Sequence, residues 1–182
     1  MEPADHYLGL VKLGRDAFIA SAAPAALVRI RGDASFGATG TTPSPDDMSR
    51  ESSVDLNVDT YVGAPEGRGR PQRKLEIYPL IKKPSAPFPD MITIGRTPNN
   101  DVVLKDSTVS RLHVFFRHRG ATWQIADGGS KNGTFLDGKP LAPRRELGVE
   151  SGQIVKIGDI ELTFYTAEEL YKMLALVTSH GQ

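Results

Sequence analysis

The sequence predicts an all-β fold: a sandwich of two antiparallel sheets, with a helix at each end of the chain and a disordered linker before the sheets. From residue 73 onwards, short apolar segments alternate with turn residues at a spacing of roughly 8 to 12 residues, which is typical of a sandwich or barrel. Apolar residues near both chain ends recur at helical spacing instead. A stretch rich in Gly, Pro, Ser and Thr separates the N-terminal helix from the first strand.

Strand-like segments fill residues 73–166, which we interpret as one β domain. Turn signals such as Asn132-Gly133 and Asp137-Gly138 separate these segments. Pro79 places the first strand at a sheet edge, because proline lacks the N–H that a central strand must donate. The predicted strands are 74–81, 91–95, 102–104, 113–118, 122–127, 134–136, 154–157 and 160–164.

Helical segments flank the β domain. Residues 1–30 are interpreted as an N-terminal helical segment, because Leu8 and Phe18 lie on one apolar stripe of a helix over residues 5–21. Residues 167–182 form a C-terminal helix and tail by the same criterion.

Residues 31–72 are predicted to be a disordered acidic linker. They are built largely from small and polar residues, which cannot bury enough apolar surface to offset the entropy cost of ordering. Residues 44–66 carry one Arg against six Asp or Glu, a net charge of −5, whereas residues 73–165 carry 14 Lys or Arg against 10 Asp or Glu, a net of +4. The whole chain, with 22 basic and 22 acidic residues, hides this asymmetry.

Composition and motif content argue against several function classes. The chain has no cysteine, and its four histidines show no metal-ligand spacing. It also has no Gly-rich phosphate loop and no nucleophile elbow, so we expect neither an enzyme nor a cofactor or metal. A net charge of zero and few aromatic residues argue against a nucleic-acid partner.

The sequence also predicts the cellular setting. No run approaches the ~20 apolar residues that a membrane helix needs. The N-terminus, Met1-Glu2-Pro3-Ala4-Asp5, is acidic where a signal peptide is positively charged. We therefore expect a cytoplasmic monomer that does not associate with a membrane.

Three loops of the β domain carry cations and hydrogen-bonding side chains. Arg96 follows one predicted strand, Ser110 and Arg111 precede the next, and Lys131 and Asn132 lie in a later turn. If these loops meet at one end of the sandwich, the three cations and the serine suit a dianionic phosphate. Asn132 has both a donor and an acceptor, which suits the backbone of an extended peptide.

The order, spacing and strand context of these residues resemble the forkhead-associated (FHA) domain, a phosphothreonine-recognition module. The resemblance covers residues 73–165, half of the chain, and says nothing about residues 1–70. It implies a sandwich of two twisted antiparallel sheets with binding loops at one end. The matching motifs are Ile94-Gly95-Arg96, Asn100-Asp101-Val102-Val103-Leu104, Ser110-Arg111-Leu112-His113, Trp123-Gln124-Ile125-Ala126-Asp127 and Ser130-Lys131-Asn132-Gly133-Thr134-Phe135-Leu136-Asp137-Gly138.

The resemblance also implies a role for each residue of the loops. Arg96 and Ser110 would hold the phosphate, with Arg111 and Lys131 assisting, and Asn132 would bind the peptide backbone. Many relatives have Thr or Ser where this chain has Lys131, so the lysine adds charge and loses the short hydroxyl. The residues expected to brace the loops are Gly95, His113, Gly133 and Thr134.

We therefore expect a non-enzymatic adaptor that docks to phosphothreonine sites made by a Ser/Thr protein kinase. The alternative is a phosphate-independent structural or assembly module, in which the sandwich and the terminal helices make the contacts. Thr60 in the acidic linker is a candidate phosphorylation site that the domain would bind in cis or between copies. The competing interpretation of that segment is a plain solvated linker.

Overall fold

The structure is a computed structural model and describes residues 4–31 and 74–179. Its elements, in chain order, are α1 (Ala4–Lys12), α2 (Arg15–Ser21), β1 (Ala25–Arg31), β2 (Lys74–Pro79), β3 (Ile92–Gly95), β4 (Val102–Val103), β5 (Val114–Arg119), β6 (Thr122–Asp127), β7 (Thr134–Leu136), β8 (Lys139–Pro140), β9 (Leu147–Val149), β10 (Ile154–Ile157), β11 (Ile160–Thr166) and α3 (Ala167–Ser179). The predicted sandwich with terminal helices is confirmed. The predicted linker, apart from its first residue, and Thr60 lie outside the described residues, and both stay predictions.

The described strands form two sheets. One has six strands in the order β2-β1-β11-β10-β7-β8, and the other has five in the order β4-β3-β5-β6-β9. Neighbouring strands are antiparallel in most pairs, and β3 and β4 are parallel. Pro79 ends β2 at the edge of the six-stranded sheet, as the missing N–H of proline predicts.

Aromatic side chains join the two sheets across the core. Phe116 of β5 stacks on Phe164 of β11, with ring centroids 5.8 Å apart, and Trp123 of β6 meets Phe164 edge-on at the same distance. Phe116 and Phe164 have no solvent exposure, and branched aliphatic residues such as Ile94 and Ile157 fill the space around them. The hydrophobic effect, through the removal of these apolar side chains from water, is the main contribution that holds the two sheets together.

Strand β1 is the main departure from the predicted elements, because residues 25–30 were predicted as part of the N-terminal helical segment and Arg31 as the first residue of the linker. Ala25 and Leu27 point into the sandwich core, whereas Ala26 and Val28 pack under the helices. A strand buried on both faces reads as a continuous apolar run, and periodicity alone does not separate such a run from a buried helix. Residues 25–31 form a strand because they pair with β11, in a register that places Ala25 opposite Thr166.

The terminal helices cover the outer face of the six-stranded sheet. Tyr7 of α1, Phe18 of α2 and Leu170 of α3 form a second apolar cluster with the outer face of β1 and β2. The sequence predicts one N-terminal helix, whereas the structure has two, α1 and α2. The break comes at Gly14, whose φ of 97° is a left-handed conformation that interrupts an α-helix. None of the helices in the described part of the chain has the length and apolar character that crossing a membrane requires.

The register of the five-stranded sheet brings the predicted binding loops to one end. Ile94 of β3 pairs with Val114 of β5, and Val114 pairs with Asp127 of β6. The chain therefore leaves β3, enters β5 and leaves β6 at the same end of this sheet. The predicted site residues lie in the segments that follow β3, precede β5 and follow β6.

The position of β1 generates a stability prediction. Leu27→Ala should lower the free energy of unfolding by about 2–5 kcal/mol, because it opens a cavity beside β11 in the sandwich core. Ile30→Ala on the same strand is the control, since Ile30 is 59% exposed and surface changes cost about 0.5 kcal/mol or less. Urea denaturation of both variants measures the difference, and equal losses would contradict the assignment of Leu27 to the core.

Candidate functional site

A cleft of about 850 Å³ lies between the three loops at this end of the sandwich. The turn after β3, the β4–β5 loop and the β6–β7 loop each contribute to its walls. The five residues predicted to bind the phosphopeptide all line it: Arg96, Ser110, Arg111, Lys131 and Asn132. The fold therefore brings together residues that lie up to 36 positions apart in the sequence (96 to 132).

Ser110 connects the loops of the cleft. Its carbonyl oxygen accepts a hydrogen bond from the backbone N–H of Arg96 at 3.0 Å. Its hydroxyl oxygen accepts one from the backbone N–H of Lys131, also at 3.0 Å. The hydroxyl proton of Ser110 has no acceptor among the described residues, so it can donate to a ligand in the cleft.

The cleft is electrically positive. Arg96, Arg111 and Lys131 are exposed, and none forms an ion pair with another described residue. No Asp or Glu is found among the described residues that line the cleft. By contrast, Arg117 on β5 pairs with Asp90 at 2.9 Å. Three uncompensated cations around one concave surface favour an anionic ligand.

Asn132 is exposed on the β6–β7 loop and is anchored by one hydrogen bond. Its Nδ2 donates to the carbonyl oxygen of Thr108 at 2.8 Å. The second N–H and the Oδ1 oxygen form no hydrogen bond with other described residues, and these are the donor and acceptor that a peptide backbone requires.

His113 joins the β4–β5 and β6–β7 loops from below the cleft, with no solvent exposure. Its Nδ1 accepts the backbone N–H of Ser110 at 3.0 Å, and its Nε2 lies 3.0 Å from the carbonyl oxygen of Gly133. A carbonyl oxygen only accepts, so Nε2 carries the proton and the imidazole fits in its neutral form. Gly133 itself has a φ of 78°, which favours glycine.

Gly95 allows the turn after β3 to approach the β4–β5 loop closely. A Cβ at this position would lie 2.1 Å from the carbonyl oxygen of Arg111 and 2.9 Å from Nδ2 of Asn100. The side chain of Asn100 donates to that same Arg111 oxygen at 2.7 Å and to the Thr97 oxygen at 2.9 Å. This buried amide therefore ties the turn after β3, which carries Arg96, to the backbone of Arg111 on the β4–β5 loop.

Asp127 organises the β6–β7 loop through four hydrogen bonds. Its Oδ1 accepts the backbone N–H groups of Gly129 (2.8 Å) and Ser130 (2.9 Å), and its Oδ2 accepts the hydroxyls of Ser130 (2.6 Å) and Thr134 (2.7 Å). Burial alone would raise the pKa of Asp127, but these hydrogen bonds lower it below its usual value. Thr134 thus acts on the loop through a carboxylate to which the sequence assigned no role.

The comparison with known proteins agrees with this geometry. Residues 92–158 match the family model of the FHA domain. The chain therefore carries an FHA domain, which confirms the resemblance found in the loop motifs.

Curated relatives match part of the chain. A protein of Corynebacterium diphtheriae named oxoglutarate dehydrogenase inhibitor is 40% identical over 72 residues, covering 40% of this chain and 48% of that protein. A protein of Mycolicibacterium smegmatis named glycogen accumulation regulator GarA is also 40% identical over 72 residues, covering 40% of this chain and 44% of that one. The match thus spans less than half the length of either relative.

Two solved structures are also similar. One comes from a study of phosphothreonine-dependent FHA domain interactions, at 26% identity and a TM-score of 0.42, covering 50% of this chain and 84% of that one. The other is the FhaA FHA domain in complex with the intracellular domain of Rv3910, at 27% identity and a TM-score of 0.41, covering 49% of this chain and 87% of that one.

The close contact at Gly95 generates a second prediction. Gly95→Ala should destabilise the domain by about 1–3 kcal/mol, because the added methyl overlaps backbone atoms of Arg111 that the fold holds in place. Gly148→Ala is the matched control, since a Cβ at Gly148 would meet nothing within 4 Å. Thermal unfolding of the two variants measures the difference. Equal melting temperatures would contradict the close approach at Gly95.

The carboxylate of Asp127 generates a pH-dependent prediction. Asp127→Asn should lower the free energy of unfolding by about 1–3 kcal/mol at neutral pH, because the amide replaces an acceptor oxygen by a donor. The native pKa of Asp127 is lowered, so its contribution is complete above the usual Asp value of about 3.9 and is lost as the pH falls through the native pKa.

The difference in the free energy of unfolding between wild type and Asp127→Asn should therefore shrink as the pH falls below about 4. Urea denaturation over a pH series measures it. Asp16→Asn, at a side chain that is 97% exposed, is the control and should follow the wild type throughout. A gap that stays constant at every pH would contradict the assigned role of the Asp127 carboxylate.

Proposed function

We propose that this protein is a non-enzymatic adaptor that binds phosphothreonine-containing proteins in a Ser/Thr kinase pathway, in the cytoplasm. The FHA domain supplies the binding module. The names of the two curated relatives, an inhibitor and a regulator, support a regulatory role rather than a catalytic one. The first name, which refers to a dehydrogenase, also favours a metabolic enzyme as the kind of protein that this chain binds.

One observation carries the proposal: a single cleft holds three cations that form no ion pair with the described residues, together with a serine hydroxyl that donates to none of them. A phosphothreonine has a charge of about −1.5 to −2 near neutral pH and three strong acceptor oxygens. In this proposal Arg96 and Ser110 hold the phosphate, and Arg111 and Lys131 add charge from the neighbouring loops. Arginine suits the first role, because its planar fork matches two phosphate oxygens at once.

The remaining contact of the proposed site is with the peptide backbone. Asn132 lies beside Lys131 on the rim of the cleft and keeps one N–H and its oxygen available. A peptide held by its phosphate and clamped at one backbone position would bind in an extended conformation. Charge-assisted hydrogen bonds contribute about 1.5–3 kcal/mol each. Three or four such hydrogen bonds, less the entropy cost of ordering the peptide, give a binding free energy of about −8 kcal/mol, which corresponds to a micromolar Kd.

Fluorescence polarisation with a phosphothreonine peptide library tests the proposal. The unphosphorylated form of each peptide should bind at least about 100-fold more weakly, which equals the loss of about two charge-assisted hydrogen bonds. The strongest peptide then serves as the ligand for the variants. Its flanking residues indicate the partner sequence.

Arg96→Ala should weaken binding of that peptide by at least about 100-fold, because it removes the planar donor aimed at the phosphate. Arg119→Ala is the matched control. Arg119 is exposed at the opposite end of β5, and its ion pair with Glu146 is long, at 3.5 Å, so its removal costs about 1 kcal/mol or less.

Two results would contradict the proposal. Unchanged peptide affinity in Arg96→Ala would show that the cleft is not the phosphate site. Equal affinity for phosphorylated and unphosphorylated peptides would favour a structural or assembly module, for which the helices that cover the six-stranded sheet are the next surface to test.

A further inference from the structure

We infer that Thr108 is a positioning residue for the peptide-binding side chain of Asn132. This inference rests on the proposed function and assigns a role to a residue that the loop motifs leave out. Thr108 lies on the β4–β5 loop and lines the cleft, two positions before Ser110.

The side chain of Thr108 is held on two sides. Its hydroxyl donates to Oδ1 of Asp106 at 2.6 Å, and its backbone N–H donates to the same oxygen at 2.8 Å. Its hydroxyl oxygen also accepts the backbone N–H of Asp159 at 3.0 Å. The hydroxyl thus uses both its donor and an acceptor lone pair, and it joins the β4–β5 loop to the β10–β11 turn.

The β10–β11 turn is shaped to receive Thr108. A Cβ on Gly158 would lie 2.7 Å from both the carbonyl oxygen and the hydroxyl oxygen of Thr108. Gly158 also has a φ of 60°. The turn therefore approaches Thr108 more closely than any residue with a side chain allows, and its contact limits the movement of the Thr108 peptide group.

The Thr108 carbonyl transmits this restraint to Asn132. It accepts the 2.8 Å hydrogen bond from Asn132 Nδ2, which is the one side-chain hydrogen bond of Asn132 to a described residue. Asn132 is otherwise exposed on a loop, where its amide would sample several orientations. With one N–H fixed, the oxygen and the second N–H are pre-oriented, which reduces the entropy lost when a peptide binds.

The phosphate-binding residues are held by other contacts. Ser110 is fixed by the backbone N–H groups of Arg96 and Lys131 and by the ring of His113. None of these hydrogen bonds involves the hydroxyl of Thr108. Removing that hydroxyl should therefore loosen the backbone clamp at Asn132 and leave the phosphate subsite intact.

The experiment compares Thr108→Val with Thr108→Ser in the full-length protein. Valine keeps the shape and loses both hydroxyl hydrogen bonds, whereas serine keeps them. Thr108→Val should weaken binding of the strongest phosphothreonine peptide by about three- to tenfold, which is the effect of about one neutral hydrogen bond. Thr108→Ser should weaken it by less than about twofold. Free phosphothreonine, titrated by NMR, lacks the peptide backbone and should bind both variants and wild type within about twofold of each other.

A double-mutant cycle separates positioning from direct contact. In an Asn132→Ala background, Thr108→Val should cause no further loss, because the residue that it positions is gone. A full additional loss would show that Thr108 touches the peptide itself and would overturn the inference. Equal weakening of free phosphothreonine by Thr108→Val would overturn it as well, by showing a general loosening of the cleft.

A control variant and an NMR measurement complete the experiment. Thr163→Val on β11 is the control, since the Thr163 hydroxyl forms no hydrogen bond with the described residues. The mobility of the Asn132 side-chain amide, measured by NMR without ligand, should rise in Thr108→Val and not in Thr108→Ser. Unchanged mobility of the Asn132 amide in Thr108→Val would overturn the inference even if peptides bind as proposed. A wild-type protein that binds no phosphopeptide would instead overturn the proposed function.

Discussion

The buried imidazole of His113 is the interaction on which the rest of the site depends. It spans two loops, with one ring nitrogen bonded to the Ser110 N–H and the other to the Gly133 carbonyl oxygen. The ring has no solvent exposure. Without it the Ser110 N–H would lose its partner, and the Gly133 carbonyl would keep only the longer hydrogen bond from the Gly158 N–H, at 3.4 Å. The position of the Ser110 hydroxyl, and through it of Lys131, follows from this bridge.

The sandwich supplies a rigid base for these loops. The stacked rings of Phe116 and Phe164 and the branched side chains around them fix the strands whose ends carry the loops. Buried polar groups then set the path of each loop: Asn100 holds the turn after β3, and Asp127 holds the β6–β7 loop. The exposed cations at the surface therefore need few contacts of their own, because the backbone that carries them is already ordered.

The sequence predicted most strands of the sandwich, because their apolar residues alternate and turn residues separate them. It did not predict the short strands β8 and β9. It also predicted five of the residues that line the cleft, because cations and hydrogen-bonding side chains cluster in the loops between predicted strands. It did not predict β1, which is buried on both faces and has no alternation. The roles of Asp127 and Thr108 were also missed, because they depend on which backbone groups the fold brings near, and spacing along one chain does not show this.

The pairing of β1 with β11 has a consequence for how the protein folds. Ala25 is opposite Thr166, so the strand next to the edge of the six-stranded sheet is joined to a partner near the other end of the chain. Its other neighbour, β2, begins only after residues 32–73 have been made. Such distant contacts carry a large loop-closure entropy and slow the search for the native pairing. During synthesis, β1 therefore has no β11 partner until residues 160–166 have been made, more than a hundred residues later, and its apolar residues lack that cover until then.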